Sequence, residues 1–209
     1  MAIPVRYLAL GDSFTIGTGT TPDRSFPAVL VWAWWEAGME CDLRNPAVNG
    51  YTTDDLIREE LPLVEAFAPD LVTVLIGAND IVTALRERAA VTEAAQERYR
   101  RQLRRIFERI RSDAPAARVV GLPQPDWSLT PGGSAFGAPS ALGKLIERFN
   151  EIAREECERA GGTYIDIFPL MREQMRTGMT APDGLHPSAA AYWQWAGALK
   201  EDLLPRSSA

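Results

Sequence analysis

His186 is the only histidine in this 209-residue chain, so an imidazole base, if the protein uses one, comes from this position. It stands in Asp183-Gly-Leu-His-Pro187. An aspartate three residues ahead of a histidine, in a tight turn, can bond the ring at Nδ1 and leave Nε2 facing a nucleophile. That arrangement keeps the histidine in its working tautomer and stabilises the imidazolium. Taken alone, the pair fits a turn aspartate and a helix-capping histidine equally well. Near the start of the chain, the apolar run from Val5 to Leu10 stops at Gly11, and Asp12 and Ser13 follow at once. Ligands of open parallel sheets bind just beyond the carboxyl ends of the strands. A serine in that place, with a histidine and an acid elsewhere, points to acyl transfer through a covalent intermediate.

Such chemistry also needs donors aimed at the oxygen that becomes negative, commonly backbone N–H groups with a side-chain amide. The chain offers three. Ser13 N–H lies at the first turn, and Gly50 lacks the Cβ that would keep a substrate from its backbone. Asn79, in Gly77-Ala-Asn-Asp80, carries an amide that can donate. Each alone reads as a turn residue. Their positions, each beyond a successive predicted strand, set them apart.

The strands are expected at Val5 to Leu10, Cys41 to Arg44, Asp70 to Ile76, Arg118 to Leu122 and Tyr164 to Ile167. Continuous apolarity in Leu-Val-Thr-Val-Leu-Ile76 suits a central parallel strand covered on both faces. Between the strands, helices are expected from about Ser25 to Ala37, and from Thr53 or Asp54 towards Leu61. Tyr99, Leu103, Ile106, Phe107 and Ile110 mark another, as do Leu142, Leu145, Ile146, Phe149, Ile152 and Ala153. Pro187 is expected to open a last helix, proline being well suited to a first helical position. Alternating strands and helices imply a parallel α/β sheet with right-handed crossovers, in one domain spanning residues 1–209.

The chain resembles the SGNH hydrolases, also called the GDSL esterase/lipase family. Gly11-Asp-Ser-Phe-Thr-Ile-Gly17 is similar to the family's first block, with the nucleophile at Ser13, and Asn45-Pro-Ala-Val-Asn-Gly50 to the second, with an oxyanion glycine at Gly50. Gly77-Ala-Asn-Asp80 is similar to the third, with an oxyanion asparagine at Asn79, and Asp183-Gly-Leu-His186 to the fifth, which completes the triad. The four blocks occur in order. Phe14 stands where the family name suggests leucine, at a position that varies, and Asp12 matches a family position outside the triad and is read as structural. The resemblance implies a flavodoxin-like three-layer αβα sandwich with a five-stranded parallel sheet. It implies ester hydrolysis through an acyl-enzyme, with catalytic Ser13, Asp183 and His186 and oxyanion donors on Ser13, Gly50 and Asn79. No metal or organic cofactor is implied.

Composition narrows the alternatives. A net charge of −6 argues against a nucleic-acid partner. Two distant cysteines, Cys41 and Cys157, make neither a disulfide framework nor a zinc cluster, and Cys157 is expected as a buried thiol. No apolar run approaches the ~18–20 residues that cross a bilayer. With no leader-like segment, the protein is expected to be soluble and cytoplasmic. Arginines from Arg98 to Arg111 form a basic helix face, read as solvated, and the tryptophans are expected mostly in the core. Trp127 is the exception: it lies in the Pro/Gly-rich segment 123–140, read as one wall of a substrate cleft. Rival readings are an acyltransferase or thioesterase on the same triad, a non-catalytic binding domain, and a phosphotransferase built on Asp12. The last lacks the second acid that normally helps hold Mg²⁺. Short-chain or acetyl esters are the favoured substrates, since the chain has no large insertion for a deep lid.

Overall fold

A computed structural model describes residues 4–87 and 93–204. Its strands are β1 (Val5–Gly11), β2 (Cys41–Arg44), β3 (Leu71–Leu75), β4 (Arg118–Gly121) and β5 (Thr163–Tyr164). All pair in parallel, in the order β2-β1-β3-β4-β5. Every residue of β3 is buried, as its unbroken apolar run requires of a strand covered on both faces. The register sets Gly11 beside Leu75, so the ends of β1 and β3 lie level. The chain reverses its winding between β1 and β3, and open sheets of this kind form a crevice at that point.

The helices are α1 (Ser13–Ile16), α2 (Phe26–Glu36), α3 (Thr53–Asp55), α4 (Pro62–Phe67), α5 (Ala78–Arg86), α6 (Glu93–Asp113), α7 (Pro139–Arg159), α8 (Phe168–Arg176) and α9 (Ala189–Leu203). α2 and α9 pack together over one face of the sheet: Tyr7 of β1 meets Trp34 at 6.0 Å between ring centroids, and Phe26 meets Trp195 at 6.1 Å. α4, α6 and α7 cover the other, where Tyr99 of α6 stacks on Phe149 of α7 at 4.5 Å. The result is the flavodoxin-like αβα sandwich that the block resemblance implies.

Several local expectations change. Pro187 does not open the last helix: it pairs with Thr180 in an antiparallel bridge, and Ser188 caps α9 by accepting from Ala191 N–H at 3.3 Å. β5 is two residues long rather than four. α5 and α8 arise where no helix was expected. Of the tryptophans, Trp34, Trp127 and Trp195 are core, but Trp32, Trp35 and Trp193 are 48%, 63% and 53% exposed. The exposed arginines of α6 are mostly matched to acids of the chain itself. Arg98 pairs with Asp54 at 2.7 Å, Arg104 with Glu156 at 3.0 Å and Arg109 with Asp113 at 2.5 Å. Cys41 and Cys157 are free thiols, the second buried as expected. Among the described residues no helix is long and apolar enough to cross a membrane.

Candidate active site

Ser13 is the first residue of α1, a single helical turn directly after β1. As a first helical residue its N–H has no carbonyl partner within the helix. Asp12 caps the turn, its Oδ1 accepting from Phe14 N–H at 3.0 Å. Gly11 makes the turn possible: a Cβ there would stand 2.2 Å from the Leu75 carbonyl oxygen and 2.3 Å from Thr15 Oγ1. From beyond β2, Asn45 Nδ2 donates to the Thr15 carbonyl at 2.9 Å and so holds α1 from a second side. The serine is thus fixed by its backbone, and it is 5% exposed.

Asp183 and His186 lie on the loop before α9. His186 Nδ1 lies 2.7 Å from Asp183 Oδ2, while Asp183 Oδ1 accepts from Leu185 N–H at 2.9 Å and His186 N–H at 3.0 Å. The aspartate is saturated by its own turn, and Gly184, at φ +67°, allows that turn. Partial burial alone would raise the Asp183 pKa. The bonds from Leu185 N–H and from the His186 ring and N–H outweigh it and hold the group below the usual carboxylate range. The Thr180–Pro187 bridge and the bond from Ala181 N–H to the His186 carbonyl, at 2.7 Å, clamp the loop at its base.

Two contacts bring this loop to the Ser13 turn and the residues just after it. The Phe14 ring, next to Ser13, lies 5.6 Å from the His186 ring. Gly19 packs so closely on the loop that a Cβ would stand 2.6 Å from Ala181 Cβ and 3.5 Å from Asp183 Oδ2.

Gly50 and Asn79 are set by the loops after β2 and β3. Gly50 adopts φ +91°, a backbone conformation that disfavours any side chain. A Cβ added there meets nothing within 4 Å, so φ and not crowding by the protein requires glycine. Asn79 falls in the first turn of α5, and its Nδ2 donates to the Tyr51 carbonyl at 2.9 Å. The second hydrogen of that amide remains for another acceptor. Beside it Asp80 accepts from Thr53 N–H at 3.0 Å and Thr53 Oγ1 at 2.5 Å. Two adjacent side chains of α5 therefore tie down the loop that carries Gly50.

Trp127 is 2% exposed, with its indole N–H on Gln124 Oε1 at 3.0 Å and its ring edge-on to Phe136. Any part it takes in a cleft wall is as support from behind. Sequence reasoning did not single out Asn45, Tyr51 or Asp80 as positioning groups. Asn45 and Asp80 lay within quoted blocks, but nothing in their spacing shows which groups they hold.

Residues 9–194 match the GDSL-like lipase/acylhydrolase family. The chain belongs to that family, whose members hydrolyse ester bonds. It is 27% identical over 190 residues to a lipase of Streptomyces rimosus, covering 77% of this chain and 69% of that one. In fold it is similar to a lipase/acylhydrolase from Enterococcus faecalis, with a TM-score of 0.72 and 21% identity over 98% of this chain and all of the other. It is similar too to an acetyl xylan esterase from Geobacillus stearothermophilus, with a TM-score of 0.73 and 18% identity over the full length of both.

Proposed function

We propose that the protein is a serine carboxylic-ester hydrolase that works through an acyl-enzyme, with Ser13 as nucleophile, His186 as base and Asp183 as its orienting acid. The observation that carries this reading is the 2.7 Å contact between Asp183 Oδ2 and His186 Nδ1, on a loop whose histidine ring packs beside the Ser13 turn. With Nδ1 committed to the aspartate, Nε2 is the nitrogen left to accept a proton. Ser13 Oγ adds to the ester carbonyl as its proton passes to His186 Nε2. The carbonyl oxygen becomes an oxyanion held by Ser13 N–H, Gly50 N–H and Asn79 Nδ2. Collapse returns the proton to the departing alcohol, and water, activated by the same nitrogen, releases the acid and frees Ser13.

Short-chain or acetyl esters are the favoured substrates, because the chain carries no large insertion from which a deep lid could be built. Segment 123–140 supplies one wall of the cleft: Gly132 N–H donates to the Gly184 carbonyl at 2.9 Å, setting the segment against the Asp183–His186 turn. The deciding experiment is hydrolysis of p-nitrophenyl acetate, butyrate and octanoate by wild type, Ser13→Ala and His186→Ala. Loss of about 10³-fold or more in both variants is expected. An active wild type matched by Ser13→Ala would mean that the nucleophile lies elsewhere. A wild type inert on all three esters would favour a binding domain.

A further inference from the structure

Behind the nucleophile turn lie carboxyl groups that the triad does not use. Glu60 is 1% exposed, and its Oε2 accepts from Gly11 N–H at 2.9 Å. Its other oxygen, Oε1, is buried with no hydrogen bond, as are Asp12 Oδ2 and the Tyr192 hydroxyl. Glu60 reaches this place through an irregularity. Between α3 and α4 the chain makes a wide π turn, Leu56–Glu60, in which Leu61 N–H bonds the Leu56 carbonyl at 3.0 Å. Pro62 follows, and in a regular α-helix its ring would crowd the carbonyl four residues back. The turn leaves Glu59 in solvent and turns Glu60 inward. Turns of this type often mark functional positions.

The surroundings of Glu60 hold no compensating cation among the described residues. The groups that act on it are Gly11 N–H and the like charge of Asp12. Asp12 in turn faces Phe14 and Gly77 N–H, Asp80, and the hydroxyls of Tyr99 and Tyr192. Arg98 acts on Asp80 from a distance but is paired to Asp54. Two carboxyls in so dry a place do not both ionise near neutrality, and they titrate as a pair. Burial, with only partial relief from Gly11 N–H, pushes Glu60 up to about 8, and burial likewise pushes Asp12 up to about 7.

We propose that Glu60 is a positioning residue that works as a neutral carboxyl group, fixing Gly11 N–H and hence the turn that presents Ser13, while keeping negative charge away from the developing oxyanion. This rests on Ser13 as the nucleophile. Loss of the Glu60 proton adds a second negative charge that acts on Asp12, one residue from the Ser13 N–H donor. Activity then falls at alkaline pH, a limb that the imidazole base does not produce.

The test is the pH dependence of kcat and KM for p-nitrophenyl butyrate with wild type, Glu60→Gln, Glu60→Ala and Ser13→Ala. Wild-type kcat/KM should fall roughly fivefold or more between about pH 7.5 and about pH 9.5, and Glu60→Gln, which cannot ionise, should lose that limb. Glu60→Ala, with no acceptor for Gly11 N–H, should lose roughly tenfold or more in kcat with KM little changed, and the glutamine should restore it. A flat wild-type profile, an unchanged limb in Glu60→Gln, or full kcat in Glu60→Ala would each overturn the role of Glu60 while leaving the triad intact. A fully active Ser13→Ala would instead overturn the reading on which it rests. Wild-type melting supplies a check that needs no variant. A carboxyl with a raised folded-state pKa stabilises below its unfolded value and loses that contribution as pH rises through the folded value. Tm should therefore decline from about pH 5 to about pH 9, and a rising or level Tm would also overturn the proposal.

Discussion

The Asn79 side-chain amide lies 2.9 Å from the Tyr51 carbonyl oxygen, so the helix after β3 grips the loop after β2 one residue beyond Gly50. One hydrogen of Nδ2 is committed to aiming the group, and the other is left for a further acceptor. A donor aimed in advance needs no reorganisation when the oxyanion forms, and this is where such groups gain their effect.

Asn79→Ala should therefore cost about 10²–10³ in kcat with a small change in KM. Steady-state kinetics on p-nitrophenyl butyrate checks it. A loss under about tenfold would remove Asn79 from the oxyanion site and leave it as a strut for the Tyr51 loop.

Asp183 makes a different demand. Its two oxygens accept from one ring nitrogen and two backbone N–H groups, so replacement by asparagine puts an NH₂ where at least one acceptor is needed. Asp183→Asn should keep the fold, turn the His186 ring to the wrong tautomer and lower kcat by roughly 10³–10⁴. Retention of more than about a tenth of the activity would show that the Thr180–Pro187 clamp alone orients the histidine.

What the sequence reveals here is whatever depends on short-range pattern. β3 was legible because both of its faces are buried and all five residues are apolar or β-branched. Ser13, Gly50, Asn79 and the Asp183–His186 pair stood out as four short blocks, three of them beyond the ends of β1, β2 and β3 and the fourth in the turn before α9. α5 did not, because Gly77-Ala-Asn-Asp80 has the composition of a turn, yet Asn79 and Asp80 spend their polar groups on Tyr51 and Thr53 rather than on local backbone. Pro187 looked like a helix opener, but the bridge to Thr180 claims it and Ser188 takes the capping role. Glu60 had no signature at all. Its burial depends on a π turn and on Gly11 at the end of β1, contacts that no local window contains.

Glu156 tests the basic helix. Its side chain is 2% exposed and meets Arg100, Arg104 and Arg159 at 3.2, 3.0 and 2.7 Å, joining α6 to α7. Burial alone would raise its pKa, but the three guanidinium groups outweigh that and bring it down to about 2. A lowered folded-state pKa means stability that is present above the ordinary glutamate value and lost as pH falls through the folded one. Glu156→Gln should cost roughly 2–4 kcal/mol at neutral pH, somewhat discounted because the arginines are partly solvated, and progressively less towards about pH 2. Urea unfolding at several pH values measures the gap. A difference that stayed constant down to the acid end would mean that the glutamine fails for packing rather than for charge.

Two tryptophans give the sharpest contrast between position and residue type. Trp127 is 2% exposed, and Gln124, which accepts its indole N–H, is itself locked to Asn150 by reciprocal 3.0 Å bonds. Trp193 is 53% exposed and touches Trp32 at 5.3 Å on the outer side of α2 and α9. Trp127→Ala should cost about 3–5 kcal/mol, because it empties a packed site and strands the Gln124 acceptor. Trp193→Ala should cost under about 1 kcal/mol. Denaturant unfolding of both variants separates the two cases. If Trp127 only buttresses the cleft from behind, Trp127→Ala should keep the wild-type order of preference among acetyl, butyryl and octanoyl esters at a temperature where it remains folded. A reordered preference would place the indole against the acyl chain and make it part of the wall itself.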